Sequence, residues 1–486
     1  MTSPRVKQPT EADSPAGIRE RGALGAALLT MRAAAGQVVA FASTIVLAHL
    51  LSPTAFGVVA FGATVVAIGN FFADGGLGMS LIRKATDPTV DELRTLLALQ
   101  LMAALVIALG LALAGSRTGT AGAVTAIMAC SLPLLALRSP HAIALERALE
   151  YRTIATIEFT ESLVYSGWAV ATVWAGWGVW GLASAAVVSA LAGSVLMAVA
   201  SPLSMLMPPR LVRSTLRSML AFGMGYQAVG VVSLVRIQGV NLVVAAVGGE
   251  HLLGLWSLAQ RLLQVPFWMF NALWRVSYPT MARLRALGED MRGTVEGFAR
   301  LTALAAGAAL APLASSAHYL IPAMFGNRWA PAAAPLAWAS AGLVVSGPIS
   351  VATSGFLYSK GDVRTPLRAS TTSATVFVGL TAALLGPIGI AGAGVAWMFA
   401  SLTEAVIFGR ALRRYANLAV ERLVCVPVAA AFVSAVLAYA LRPPFSSQLA
   451  DGIATATVAL IAYLSLSLAF NRTDLFKLLR RLRSFV

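Results

Sequence analysis

The sequence predicts an all-α polytopic membrane protein of about 14 transmembrane helices, and three observations carry that prediction. Of 486 residues, 58% are hydrophobic and 12% charged, with a mean hydropathy of +0.78. Soluble domains run near 45–50% apolar and about 25% charged. The apolar residues gather into runs of roughly 20, the length that crosses a hydrocarbon core. Those runs are continuous and Ala/Leu-rich, which excludes a transmembrane β-barrel with its alternating strands. The lysines and arginines stand between the runs rather than on basic stripes interleaved with aromatics, which argues against nucleic acid despite a net charge of +16. Cys130 and Cys425 sit in apolar segments, so a disulfide scaffold is excluded.

Residues 1–22 are polar, lack an apolar h-region and read as a cytoplasmic lead. Six runs follow within 23–200, at 23–50, 56–81, 95–115, 120–137, 154–175 and 180–200. A basic connector, 201–219, carries Arg210, Arg213 and Arg217. A second set of six lies within 220–411, at 220–248, 252–274, 300–324, 332–357, 368–386 and 388–409. Two more, 423–441 and 452–470, fall within 422–470. The tail 471–486 places Leu475, Leu479, Leu482 and Phe485 on one face among Lys477, Arg480, Arg481 and Arg483, the pattern of an interfacial helix on the anionic inner leaflet.

Charge placement supports the count. With the N-terminus inside, alternate assignment puts all but six of the 36 Lys and Arg residues on the inner side. Arg117, Arg328 and Arg442 fall in outer loops, and Arg32, Arg236 and Arg261 within spans. This positive-inside bias predicts a multi-pass membrane protein with both termini in the cytoplasm. Outer loops such as Leu51–Ala55 and Trp177–Val179 are too short for an extracellular catalytic domain.

The chain also repeats. "IVLAHLLSPTAFGVVAFG" (Ile45–Gly62) matches "LVVAAVGGEHLLGLWSLA" (Leu242–Ala259) at a displacement of 197. Gly178-Val179-Trp180-Gly181 matches Gly389-Ile390-Ala391-Gly392 at 211. The repeats imply two pseudo-symmetric six-helix lobes around a central cavity, with the last two helices appended.

Catalytic constellations are absent from the sequence. His49, His141, His251 and His318 are scattered without metal-ligand spacing, and there is no Walker A sequence. The glycine-dense Gly386–Gly394 stretch reads as close helix packing rather than phosphate binding. No enzyme activity, metal or cofactor is expected. What remains is a set of polar residues inside spans: Arg32, Gln37, Asn70, Gln238, Asn241 and Asn271 with Arg236 and Arg261. Arginine at bilayer depth costs about 2.5–3.5 kcal/mol even on insertion scales, so each must face a wet cavity or a partner. One reading is a cationic cleft for an anionic cargo. The other is internal pairing of Arg32 or Arg236 with Asp74 or Glu404, residues that could equally serve ion coupling.

These motifs resemble a family. "LAHLLSPTAFGVVAFG" followed by "FFADGGLGMSLIRK" (Phe71–Lys84) is similar to the opening of polysaccharide flippases of the Wzx type. They belong to the multidrug/oligosaccharidyl-lipid/polysaccharide exporter superfamily. "GWGVWGLASA" (Gly176–Ala185), "GLWSLAQRLLQVPF" (Gly254–Phe267), "VSYPTMARL" (Val276–Leu284) and "MFGNRWAPA" (Met324–Ala332) extend the likeness over residues 24–410. The resemblance, specific to the colanic-acid and teichuronic-type branch, implies twelve to fourteen helices in two lobes. It also implies a cargo of undecaprenyl-diphosphate-linked glycan, flipped for exopolysaccharide or lipopolysaccharide synthesis beside membrane lipids and a polymerase or assembly machinery. Drug export and peptidoglycan-precursor flipping remain the alternatives, with a polytopic glycosyltransferase or ligase disfavoured. In the resemblance Arg261 matches an arginine closing a Ser-Leu-Ala-x-Arg stretch. The stretch Arg236–Asn241 lacks an aspartate that relatives often carry there.

Overall fold

The computed structural model describes residues 35–84, 86–204, 208–212, 215–216, 219, 227, 230–441 and 447–483, without the side chains of 420–422 and 471–483. The lead 1–22, Arg32 and the apolar face expected on the tail lie outside the described residues. So do residues 205–207, 213–214 and 217–218 of the basic connector, Arg213 and Arg217 among them.

The described residues form helices joined by short turns: α1 Ala35–Leu50, α2 Pro53–Asp74, α3 Leu77–Ile82, α4 Val90–Gly115, α5 Gly119–Ala129, α6 Ser131–Arg147, α7 Tyr151–Trp174 and α8 Val179–Ala200. Then come α9 Gly230–Ala286, α10 Arg292–Phe325, α11 Ala333–Ser359, α12 Arg364–Ile388, α13 Ala391–Ala416, α14 Val420–Ala440 and α15 Gln448–Arg483. Among the described residues, 11 helical segments are long and apolar enough to span a membrane. One of these, α9, holds two expected spans, because Gly249 at φ 71° breaks it into two arms. With α1 and the 24-residue α7, every expected run overlaps helix over its described residues, though 56–81 is broken at Gly75-Gly76 between α2 and α3 and 120–137 at Cys130 between α5 and α6. This is a multi-pass, all-helical membrane protein.

Local chemistry explains the ends. Thr89 opens α4 with a capping box, its hydroxyl accepting from the Glu92 N–H while Glu92 accepts from the Thr89 N–H. Lys84 reaches the same Glu92 at 2.7 Å. At α8 and α13 the repeat appears in the backbone itself. Gly178 (φ 56°, ψ −130°) and Gly389 (φ 60°, ψ −148°) adopt one conformation open to glycine, just before each helix.

The helices divide into two compact units, Met1–Leu50 with Val66–Gln227, and Leu51–Val65 with Ala228–Val486. Residues 51–65, expected within the first lobe, thus pack in the second unit. The reason is a backbone contact. A Cβ on Gly57 would lie 1.6 Å from the Glu250 carbonyl oxygen, and one on Gly254 would lie 1.8 Å from that of Pro53. Thr54 Oγ1 meets His251 Nδ1 at 3.4 Å. Each equivalent pair, 53 with 250, 54 with 251 and 57 with 254, differs by the repeat displacement. The matched segments therefore cross about a local two-fold axis.

In the second unit α10 packs on α11, and α13 on both α11 and α12. The aromatic core of Trp256, Phe377 and Trp397 ties α9, α12 and α13 together. The glycine-dense turn does serve helix packing: a Cβ on Gly394 would lie 2.4 Å from Pro335. α14 and α15 attach to α10, where the Tyr463 hydroxyl donates to the Leu304 carbonyl at 3.0 Å and its ring occupies the space left by Gly307.

Candidate functional site

In the first unit the polar side chains engage one another. α2 ends at Asp74, and Gly75 and Gly76 at φ 58° and 68° turn the chain into α3. The Gly76 N–H donates to Asp74 Oδ2 at 3.1 Å, and Gln100 Nε2 on α4 donates to Oδ1 at 2.8 Å. Gln100 is buried, and its Oε1 has no hydrogen-bond partner among the described residues. Asn70, Asp74, Gln100, Arg138 and Ser139 line a cavity of about 200 Å³. Arg138 Nη1 lies 3.1 and 3.0 Å from the two carboxylate oxygens of Glu161 on α7. Gly193 on α8 makes room for that carboxylate, since a Cβ there would approach it to 2.8 Å. At the end of α3, Arg147 donates to the carbonyls of Leu81, Ile82 and Lys84 and pairs with Asp87 at 2.9 Å. Gln37 stands exposed on α1.

The second unit is organised differently. The first arm of α9 contains a π-helical turn, Val235–Gly239, which carries Arg236 and Gln238. Such turns recur at functional sites because the inserted residue disturbs the regular ladder. Arg236 Nη1 lies 3.4 Å from Glu404 Oε2 on α13, and Ser350 on α11 donates to Oε1 at 3.2 Å. Of the two pairings open in the sequence for Arg236, this one is realised. Asn241 is spent inside the unit: it donates to Thr64 and to Gln238, and accepts from the buried Trp256 indole at 3.2 Å. Its amide thus ties the π-helical turn and Thr64 to Trp256.

On the second arm of α9, Arg261, Gln264, Asn271 and Arg275 are exposed along one stripe. Leu255, Leu258, Leu262, Leu263 and Phe270 are buried on the opposite face. Steps of three and four residues keep a side chain on the same face, so the stripe follows from helical geometry. The Arg261 guanidinium also lies over the Phe56 ring, 5.8 Å from its centroid.

Sequence reasoning found Arg236, Arg261 and Asn271 but counted Arg138 and Arg275 among loop residues. The signal for Arg138 was present: two glutamates inside α7 demand a cation. Asp74 meets Gln100 and the Gly76 N–H rather than Arg236.

The profile of the family described as polysaccharide biosynthesis protein matches residues 46–334. The chain belongs to that family. No curated protein matches it. Among solved structures it is similar to the lipid II flippase MurJ in its inward closed conformation, with a TM-score of 0.70 and 13% identity over 92% of this chain and 99% of that one. It is also similar to an inward-facing multidrug resistance MATE family transporter of the MOP superfamily, with a TM-score of 0.58 and 14% identity over 80% and 95% of the two chains. At these identities the likeness is one of fold, and the fold is that of transporters.

Proposed function

We propose that this protein flips a polyprenyl-diphosphate-linked oligosaccharide across the bacterial plasma membrane by alternating access, with both termini in the cytoplasm. The cargo is the undecaprenyl-diphosphate-linked repeat unit of an exopolysaccharide or lipopolysaccharide. The observation that carries the reading is the stripe of Arg261, Gln264, Asn271 and Arg275 on a helix of membrane-spanning length. Such a face is too costly for hydrocarbon and suits a wet path for a charged, hydroxyl-rich cargo. Guanidinium forks bind phosphate oxygens while staying charged. Arg236, held at 3.4 Å by a carboxylate that Ser350 also engages, can exchange Glu404 for a phosphate oxygen. Arg32, Arg236 and Arg261 would then meet the diphosphate in turn, with Gln37, Asn70, Gln238 and Asn271 as polar contacts and Asp74 as a candidate coupling group. Family membership and the flippase fold support a transport role. No step of bond making or breaking is needed.

The test is deletion of the gene with leaflet-resolved analysis of lipid carriers. Loss of a surface polysaccharide with glycan-loaded carrier retained on the inner leaflet is expected. Normal polysaccharide with altered drug resistance would favour the exporter reading instead.

A further inference from the structure

The exposed stripe on α9 is not only polar. Trp268 lies between Gln264 and Asn271, and Tyr278 follows Arg275 by three residues, so the run Arg261, Gln264, Trp268, Asn271, Arg275, Tyr278 advances by three and four alternately. It extends about 25 Å at 1.5 Å per residue. Both rings are more than a third exposed. Beside them Trp274 stacks on Tyr278 with planes 8° apart and centroids at 6.0 Å, and the Tyr358 ring of α11 meets Tyr278 edge-on at 6.3 Å. The Trp274 indole N–H donates to Ser354 Oγ at 3.1 Å, which fixes the stack. Gly355 permits this arrangement, since a Cβ there would come within 2.8 Å of Ser277 Oγ and 3.4 Å of the Tyr278 nitrogen.

We propose that Trp268, Tyr278 and Tyr358, with Trp274 bracing Tyr278, form a platform that stacks on the sugar rings of the cargo while the neighbouring arginines take its diphosphate. The inference rests on the flippase reading and adds the part of the cargo that reading leaves without a site. A pyranose presents a face of C–H bonds flanked by hydroxyls. The negative face of an aromatic ring attracts those polarised C–H groups, and rigid rings lose little entropy on contact. Gln264, Asn271 and Arg275 supply the donors and acceptors that hydroxyls need at the ring edges. Trp268 and Tyr278 are about 15 Å apart along the helix, room for more than one sugar. Tryptophan and tyrosine also line membrane interfaces as a belt. In this run, however, two amides and two arginines alternate with the rings, which a lipid-facing belt does not accommodate.

The experiment measures binding by the full-length protein in lipid nanodiscs to two probes, a polyprenyl diphosphate and the same carrier bearing a disaccharide. Trp268→Leu and Tyr278→Leu/Tyr358→Leu keep the apolar volume and remove the flat face, whereas Trp268→Phe and Tyr278→Phe keep a ring. The leucine variants are expected to weaken the disaccharide-bearing probe about three- to tenfold, the range of one or two aromatic contacts, and to leave the bare carrier unchanged. The phenylalanine variants should bind like the wild type. Equal loss for both probes, or no loss for either, overturns the platform while leaving the flippase reading standing. A wild-type protein that binds neither probe overturns both.

Discussion

Arg138 and Arg236 each meet a glutamate within the helical frame, yet the two pairs are built to different ends. In the first unit one guanidinium nitrogen contacts both oxygens of Glu161 at 3.0–3.1 Å, and Gly193 leaves the room that the carboxylate fills. In the second, Arg236 rides on a π-helical turn and reaches Glu404 at 3.4 Å, while Ser350 holds the other oxygen. Attraction is stronger at short range, and in the proposed function the longer contact, with a second donor in place, is the one that can exchange. On the proposed reading, the same two residue types make a staple in one unit and an exchangeable anion-binding group in the other.

The largest effect should fall on the staple. Glu161→Ala strands the Arg138 charge, and a loss of about 2–4 kcal/mol in thermal stability is expected, less than for a fully buried pair because both side chains stay partly exposed. The double variant Arg138→Met/Glu161→Leu should recover most of it. If Glu161→Ala purifies with unchanged melting temperature, the contrast between the two pairs is lost.

Next come the crossing glycines. Gly57→Ala and Gly254→Ala each force a methyl onto a carbonyl oxygen of the facing segment, at an expected cost of about 1–3 kcal/mol. Because both touch one contact, the double variant should cost less than the sum. Strict additivity in melting curves would show that the two-fold crossing is not a single unit.

At the exchangeable pair stability should barely move and transport should. Arg236→Ala is expected to accumulate normally and to lower flipping in proteoliposomes about tenfold or more, with Arg236→Lys intermediate. Glu404→Gln should tighten binding of a polyprenyl diphosphate and slow turnover. Failure of Arg236→Ala to fold, rescued by Glu404→Leu, would make this pair a second staple.

The smallest effect is at the surface. Asp362 accepts from the backbone N–H groups of Arg364 and Thr365 and from the Thr365 hydroxyl, capping α12. Burial by itself would raise its pKa, but those bonds and one from Tyr415 outweigh it and hold the carboxyl below its ordinary value. A depressed folded pKa means stability that is complete above the ordinary aspartate range, near pH 3.9, and is lost as pH falls through the folded value. Asp362→Ala should cost about 1 kcal/mol at pH 7, and the cost should shrink as pH falls through the folded value. A stability difference between the variant and the wild type that does not shrink on acidification would contradict it.

Much of this protein was legible in its sequence because the bilayer simplifies the problem. Backbone groups in hydrocarbon must all be bonded, so continuous apolar runs without strand alternation specify helices, and over the described residues each expected run overlaps helix. The repeat was legible too, since small residues at matched turns reflect close backbone approach. Only the tertiary structure could decide which part of the chain packs with which. Residues 51–65 join the second unit because Gly57 and Gly254 meet, and no local pattern encodes the partner of a glycine. It also decided the fate of the polar residues. Arg138 looked like a loop cation until α6 carried it to Glu161, and nothing local in the sequence pairs the Asn241 oxygen with the Trp256 indole. Hydropathy measures the cost of a polar group in a membrane. The group that offsets that cost lies elsewhere in the chain, and only packing brings the two together.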